Sequence, residues 1–176
     1  MDALNGDGRR GPGTFLAAAI TLGVGLGGLI DGIVLHQVLQ WHHMLSAPLP
    51  PVTVEALEMN TLADGLFHLG AWIVTLVGVI WLSRTARPPG AGRPLGAGPR
   101  LGGGMLVGWG VFNLVEGIVD HYLLGVHHVR SGPDAAAYDL AALVIAALLI
   151  AAGIILARRA PRRSRAASIG QRVRAS

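Results

Sequence analysis

The chain has no cysteine and no lysine, and only 5% of its residues are aromatic and 14% charged. The absence of cysteine excludes a disulfide scaffold, Cys-ligated zinc, an iron–sulfur cluster and thiol catalysis together. The absence of lysine leaves arginine as the whole of the basic complement, fourteen residues in all. A soluble domain of ordinary composition carries about 25% charged residues. The shortfall here is local: the charges sit at the ends and in one loop and leave long uncharged stretches. A pI near 11 therefore does not point to nucleic acid, because the arginines flank apolar runs instead of decorating a folded surface.

What the chain does have is apolar length and histidine. Its 176 residues, room for one compact unit, are 52% hydrophobic, with a mean hydropathy of +0.53. Four segments exceed the roughly 20 residues needed to cross a hydrocarbon core: Thr14–Met44, Thr61–Ser83, Gly104–Val129 and Ala136–Ala157. They predict an all-α fold, a four-span transmembrane helix bundle. Residues 1–13 read as an N-terminal arm and 14–157 as the transmembrane domain, with hairpins at 14–83 and 104–157, a Pro/Gly/Arg linker at 84–103 and an Arg-rich tail at 158–176. The first span is too long for a cleaved signal peptide, carries Asp31 and His36, and precedes three comparable spans.

Arginine placement orients the bundle. Arg9 and Arg10 precede the first span, Arg84, Arg87, Arg93 and Arg100 occupy the middle loop, and seven more arginines follow Ala157. The first and third loops hold only Arg130. The positive-inside rule then expects a multi-pass protein of the cytoplasmic membrane with both termini and the middle loop in the cytoplasm. The tail serves as a topology anchor against anionic lipid, and the expected partners are membrane lipids and not nucleic acid.

The strongest signal is internal. The stretch from Asp31 to His43, DGIVLHQVLQWHH, aligns without gaps on EGIVDHYLLGVHH from Glu116 to His128. An acid, a Gly-Ile-Val triplet, one histidine and a terminal His-His pair coincide. In the even spans Asp64 lies twenty residues before Arg84 and Asp139 twenty before Arg159, while His68 corresponds to Leu143. This pattern reads as a duplicated two-helix hairpin related by an axis along the membrane normal.

At about 1.5 Å per residue, His36, His68 and His121 fall at one level of the outer leaflet. Asp64 and Asp120 lie near them, Asp31 and Glu116 deeper, and His42, His43, His127 and His128 cap the cluster at the outer surface. Ionisable groups at such depth are costly unless paired or liganded. Carboxylates without a neighbouring cation repel one another, and a bound metal ion supplies the missing positive charge. On straight α-helices, at 100° per residue, His36 with His43 and His121 with His128 form one stripe, as do Asp64 and His68 on their own helix. Asp31 with His42, and Glu116 with Asp120 and His127, form another. Imidazole and carboxylate without sulfur suit iron, zinc, manganese or copper(II), and the set is large enough for a dinuclear centre. Some of the groups act by orienting an imidazole through its other nitrogen. No Glu-x-x-His pair is present, so the ferritin-like motif is not claimed.

Other features are structural. Gly23, Gly25, Gly27, Gly28 and Gly32, with Gly104 and Gly108, read as close helix-packing positions. Trp41, Trp81 and Tyr138 read as interfacial anchors, Trp72 and Trp109 as core. Gln37 and Asn113 read as interhelical polar contacts, Asp139 as a helix cap or a member of the site, and Glu55 and Glu58 as solvated loop residues.

The strings from Asp31 to Met44, from Asp64 to His68 and from Asn113 to His121 resemble a bacterial family of membrane proteins catalogued as domain of unknown function 2243. The likeness spans nearly all of the chain from the first helix to the fourth. It implies a four-span bacterial membrane protein and carries no established activity, so the function has to come from the residues. The leading expectation is a membrane metalloprotein, a metal-dependent hydrolase or oxidoreductase acting on a lipid-soluble or extracytoplasmic substrate. His36, His68 and His121 would be core ligands, with Asp31, Asp64, Glu116 and Asp120 as ligands or proton-handling groups. The alternatives are a haem-binding electron-transfer protein, with His36 opposite His121 or His43 opposite His128, and a metal or proton transporter or metal chaperone. The chain is compatible with a homo-oligomer.

Overall fold

Long runs of Ala, Leu, Ile, Val and Gly without charge satisfy their backbone groups in lipid only as helices. The computed structural model describes residues 12–85 and 96–159. Within them lie α1 (Pro12–Asp31), α2 (Val54–Thr85), α3 (Ala97–Glu116) and α4 (Ala135–Arg158). α1 runs on into a π-helical stretch, Gly32–Val38, and α3 into a second, Gly117–Leu123. No strand occurs among the described residues, and all four helices are long and apolar enough to cross a membrane. The N-terminal arm, the middle of the linker and the Arg-rich tail after Arg159 lie outside the described residues.

The principal packing pairs are α1 with α2, α1 with α3 and α3 with α4. α1 and α3 therefore form the centre, and α2 and α4 flank them. Glycine makes these approaches possible. At the α1–α3 crossing a Cβ on Gly108 would lie 2.9 Å from Gly23 Cα, and a Cβ on Gly23 would collide with the Met105 backbone. On the flanks, a Cβ on Gly25 would lie 2.5 Å from Thr75 N, and one on Gly110 2.7 Å from Ala146 O. Where apolar burial drives no association, such backbone contact is what binds helices.

The large apolar side chains point away from these seams. Leu62, Leu66, Trp72, Ile73 and Ile80 of α2, and Leu140, Val144, Leu148 and Ile155 of α4, are exposed. The fully buried apolar residues are small, among them Ala18, Ala19 and Ala146. An outside of this kind is a lipid-facing surface. Trp72, read above as core, is half exposed instead. α2 packs chiefly on α1, so most of its circumference faces outward. Trp109 does pack inward, against Gly27.

The helix ends differ from a reading of straight helices. α2 starts at Val54, seven residues before Thr61, because Thr53 Oγ1 accepts from Ala56 N at 3.2 Å and caps it. Glu55 and Glu58 thus stand exposed on the first turns of α2, not in the loop, where a helix N-terminus favours acids. The first and third helices end at Val38 and Leu123, six residues before Met44 and Val129. Beyond them Gln40 (φ 48°) and Gly125 (φ 59°) take left-handed conformations, and the chain turns back on the bundle.

Candidate metal centre

The π-helical stretches bring the acids and histidines together. At 100° per residue, positions five apart are about 140° apart on an α-helix, which places Asp31 and His36 on different stripes. A π-helix closes its turn at i→i+5 and stacks them. His36 Nε2 lies 3.3 Å from Asp31 Oδ2, and His121 Nε2 lies 3.1 Å from Glu116 Oε1. The returns then carry His42 and His127 inward, and both are buried. The stripes of His36 with His43 and of His121 with His128 accordingly do not exist as helical faces. Each His-His pair lies on a return loop; His42 and His127 are fully buried, while His43 is mostly buried against Asp64 and His128 is partly exposed beside Asp139.

Two carboxylates organise the imidazoles. Asp64 Oδ1 accepts from His36 Nδ1 at 3.0 Å and from Met44 N at 2.9 Å, while Oδ2 accepts from His43 Nδ1 at 2.7 Å. In the second hairpin His121 Nδ1 lies 3.2 Å from Asp139 Oδ1, which accepts from Val129 N at 2.9 Å, and Asp139 Oδ2 accepts from His128 Nδ1 at 2.7 Å. His36, His43 and Met44 have His121, His128 and Val129 as counterparts 85 residues on, and Asp64 has Asp139 75 residues on. Asp139 is therefore a member of the site. Its signal in the sequence was the equal spacing of Asp64 and Asp139 from Arg84 and Arg159. Asn60, missed altogether, is also buried. It accepts from Leu45 N at 3.0 Å and donates to Leu49 O and Ala56 O at 2.8 and 2.9 Å, tying the first return loop to α2. A polar residue one turn before Asp64 on an apolar helix was its only trace.

Between the hairpins the rings of His36, His42, His127 and His121 form a contiguous row, with centroids 4.5, 4.5 and 4.9 Å apart. His42 and His127 stack with their planes 4° apart. The ligand atoms of Asp31, His36 and His42 lie within 4.8 Å of one another, as do those of His42, Glu116 and His127. Hydrogen bonds assign the nitrogens of the first group. A carbonyl or an ionised carboxylate only accepts, so His42 Nδ1–H donates to Val129 O at 2.8 Å and His36 Nδ1–H to Asp64. In the neutral His42 ring Nε2 is then a bare lone pair, and the Nε2 atoms of both His42 and His36 are buried without a hydrogen-bond partner. The 3.3 Å approach of His36 Nε2 to Asp31 is a proximity without hydrogen-bond geometry. Burial, reinforced by the neighbouring His127, pushes the pKa of His42 down to about 3 and keeps the ring neutral.

The second group is built differently. Glu116 Oε1 accepts from both His121 and His127, at 3.1 and 2.9 Å, and His127 Nδ1 is left buried without a partner. Asp31 receives no such donor among the described residues. His68 lies at the level expected, 6.3 Å from His36 between centroids, but stands outside both groups. Its Nδ1–H donates to Asp64 O at 2.6 Å, and its Nε2 abuts Gly32, where a Cβ would strike it. Asp120, His43 and His128 also lie outside both groups, and Asp64 has its oxygens engaged by imidazole and backbone donors.

No curated protein and no solved structure matches the chain. The family profile described as predicted membrane protein (DUF2243) matches residues 18–160, the stretch that carries α1 from Ala18 onward, the other three helices and every residue of the cluster. The chain belongs to this family of membrane proteins.

Proposed function

We propose that this protein is an integral membrane metalloprotein whose ion is held by Asp31, His36 and His42. The observation that carries the reading is the pair of buried Nε2 atoms of His36 and His42, neither with a hydrogen-bond partner, beside a carboxylate that accepts no hydrogen bond among the described residues. The His42 lone pair and the Asp31 carboxylate converge without a donor of their own, and a cation among the three groups satisfies them together. Two imidazoles and one carboxylate without sulfur suit iron, zinc or copper(II), and the two-His-one-carboxylate set in particular suits a non-haem iron with open positions. Asp64 and Val129 O hold the two rings in the tautomer that leaves Nε2 free. His42, Glu116 and His127 offer a second position, and because it shares the one free nitrogen of His42 the two positions are alternatives for a single ion.

The recurrence of the same contacts in both hairpins supports their origin by duplication, with the pseudo-axis between Gly23 and Gly108 along the membrane normal. Arginine asymmetry supports a reading in which the cluster lies on the extracytoplasmic side of a bacterial cytoplasmic membrane, with both termini inside. When bound there, the ion supplies Lewis acidity, an activated water or redox chemistry. The chain supplies the ligand set, the fixed tautomers and a buried site. We infer a hydrolase or oxidoreductase acting on a lipid-soluble or extracytoplasmic substrate.

Haem is disfavoured, because His42 and His127 stack in the row between His36 and His121, where a macrocycle would have to lie. Transport is disfavoured because the opposite halves of the helices are apolar. The test is metal analysis of protein purified and reconstituted without oxygen. One or more transition-metal equivalents per chain, lost in His36→Ala and His42→Ala, is the expected result. Less than one equivalent in the unaltered protein, or no loss in the variants, overturns the reading.

A further inference from the structure

At the outer end of the molecule the two hairpins differ around Arg130. Arg130 lies between two aromatic rings, its guanidinium carbon 5.4 Å from the centroid of Trp41 and 5.3 Å from that of Tyr138, and these rings meet edge to face at 5.7 Å. Its Nη1 donates to Tyr138 Oη at 2.7 Å. The corresponding positions of the other hairpin are Leu45 for Arg130, Ala63 for Tyr138 and Val126 for Trp41, so nothing of the kind can form there. Trp41 belongs to the first hairpin and the other two residues to the second, so the trio bridges them.

Arg130 is exposed, and among the described residues no carboxylate comes within ion-pair distance of it. A guanidinium carries five N–H donors in a planar fork. One serves Tyr138, and the others meet no protein acceptor among the described residues. Aromatic rings beside the guanidinium fix its orientation, so little side-chain entropy remains to be lost when an anion docks on its edge. The backbone is held as well: Val129 N donates to Asp139 at 2.9 Å, Val129 O accepts from His42 at 2.8 Å, and Ser131 N lies 3.4 Å from Trp41 O. A preorganised, unneutralised fork therefore stands one residue from the strap that closes the histidine cluster.

We propose that Trp41, Arg130 and Tyr138 form an oxyanion site at the outer mouth of the cluster. It takes a phosphate-type group, which the fork engages in two parallel hydrogen bonds. The group comes from a lipid headgroup or from solution, and the site does not depend on whether a metal ion occupies the cluster below.

The experiment is thermal unfolding of the full chain in maltoside micelles. Inorganic phosphate is compared with chloride at equal ionic strength, and dimyristoyl phosphatidylglycerol with dimyristoylglycerol. Stabilisation by phosphate identifies a soluble oxyanion, and stabilisation by the phospholipid alone identifies a headgroup. Arg130→Gln is expected to weaken either effect about tenfold or more, and Arg130→Lys, which keeps the charge but not the fork, to restore it only in part. Circular dichroism checks that the variants keep their helices. No stabilisation by either anion, or an equal effect in Arg130→Gln, overturns the proposal. Repeating the titration after chelation separates it from the metal reading. An anion effect that vanishes with chelation and survives Arg130→Gln belongs to a metal ion and overturns the arginine site, whereas one that survives chelation and needs Arg130 supports it.

Discussion

His42 Nδ1 lies 2.8 Å from the carbonyl oxygen of Val129, so a single imidazole fastens the loop after α1 to the loop after α3. The same ring carries a buried Nε2 without a hydrogen-bond partner and takes part in both groups of candidate ligand atoms. Cross-hairpin closure, to which Ala47 N–Val126 O at 3.0 Å and Ser131 N–Trp41 O at 3.4 Å also contribute, thus sets the orientation of the His42 ring. Because the carbonyl can only accept, the closure also decides which nitrogen remains bare. The matching interaction is absent in the second hairpin, where His127 turns its Nε2 to Glu116 at 2.9 Å. The two halves repeat their framework of Asp64 and Asp139 but not their innermost contacts.

The ligand set and its supports should separate by magnitude. His36→Ala and His42→Ala each remove a nitrogen of the first group and should abolish stoichiometric metal in the purified protein. Asp64→Asn leaves Asp31, His36 and His42 in place but weakens the acceptor that fixes His36 Nδ1–H. Metal affinity should then fall about 10–100-fold, read by competition with a chelator of known affinity. Equal losses in all three variants would mean that Asp64 is itself a ligand.

Asp139 offers a measurement of stability apart from metal. Its carboxylate accepts from Val129 N and His128 and lies 3.2 Å from His121 Nδ1. Asp139→Ala strands the Val129 N–H and removes the acceptor of the partly exposed His128, and a buried group left without its partner costs about 1–3 kcal/mol. Unfolding in detergent should show a loss of at least that size. Asp134→Ala, at an exposed position before α4, should change stability by no more than about 0.5 kcal/mol.

The sequence made the helices legible because apolar length without charge has few other meanings, and made the cluster legible because acids and histidines recur at one spacing. It also placed the glycines of the α1–α3 crossing correctly as contact positions. The angular relations were lost for an identifiable reason. A helical wheel assumes 100° per residue, and the chain departs from it at Gly32 and Gly117, where the π turns begin, and again at Gln40 and Gly125, where it reverses. Neither departure leaves a mark in hydropathy. His68 lies at the expected depth and, with Nδ1–H given to Asp64 O, keeps a buried Nε2 without a partner, but its distance from Asp31 and His42, which depth does not reveal, leaves it outside both groups. Trp72 was placed in a core that assumed four helices closing around an axis, whereas α2 packs chiefly on α1.

The two chain reversals make a comparison of their own. Gln40 and Gly125 occupy equivalent positions and both have positive φ, 48° and 59°. Glycine adopts that conformation freely, while a residue with a Cβ pays about 1–2 kcal/mol. Gln40→Gly should therefore stabilise the protein by up to about 1 kcal/mol, after allowing for the greater freedom of glycine in the unfolded chain. Gly125→Ala should destabilise it by a comparable amount. Paired melting curves of the two variants test the sign, and destabilisation by Gln40→Gly would show that the glutamine side chain holds the turn.

The orientation can be tested through the very residue the chain lacks. With no cysteine in the sequence, any thiol introduced singly reports its own position. Val52, 85% exposed before α2, and Ser131, exposed in the loop before α4, lie at the end of the bundle that holds the histidines. Ser83, exposed near the end of α2, lies at the opposite end. α2 from Val54 to Thr85 has 32 residues, about 48 Å at 1.5 Å per residue, enough to hold the two ends in water on either side of a bilayer. A membrane-impermeant maleimide applied to intact cells should label Val52→Cys and Ser131→Cys directly, and Ser83→Cys only after permeabilisation. Arginine placement requires this outcome, because Arg84 and Arg100 flank the middle loop while the cluster end carries Arg130 alone. The reverse labelling would put the histidines in the cytoplasm, turning both the candidate metal centre and the proposed Arg130 site towards cytoplasmic ligands. Labelling of Val52→Cys and Ser131→Cys from opposite sides would break the hairpin topology itself, since His42 could not then reach Val129.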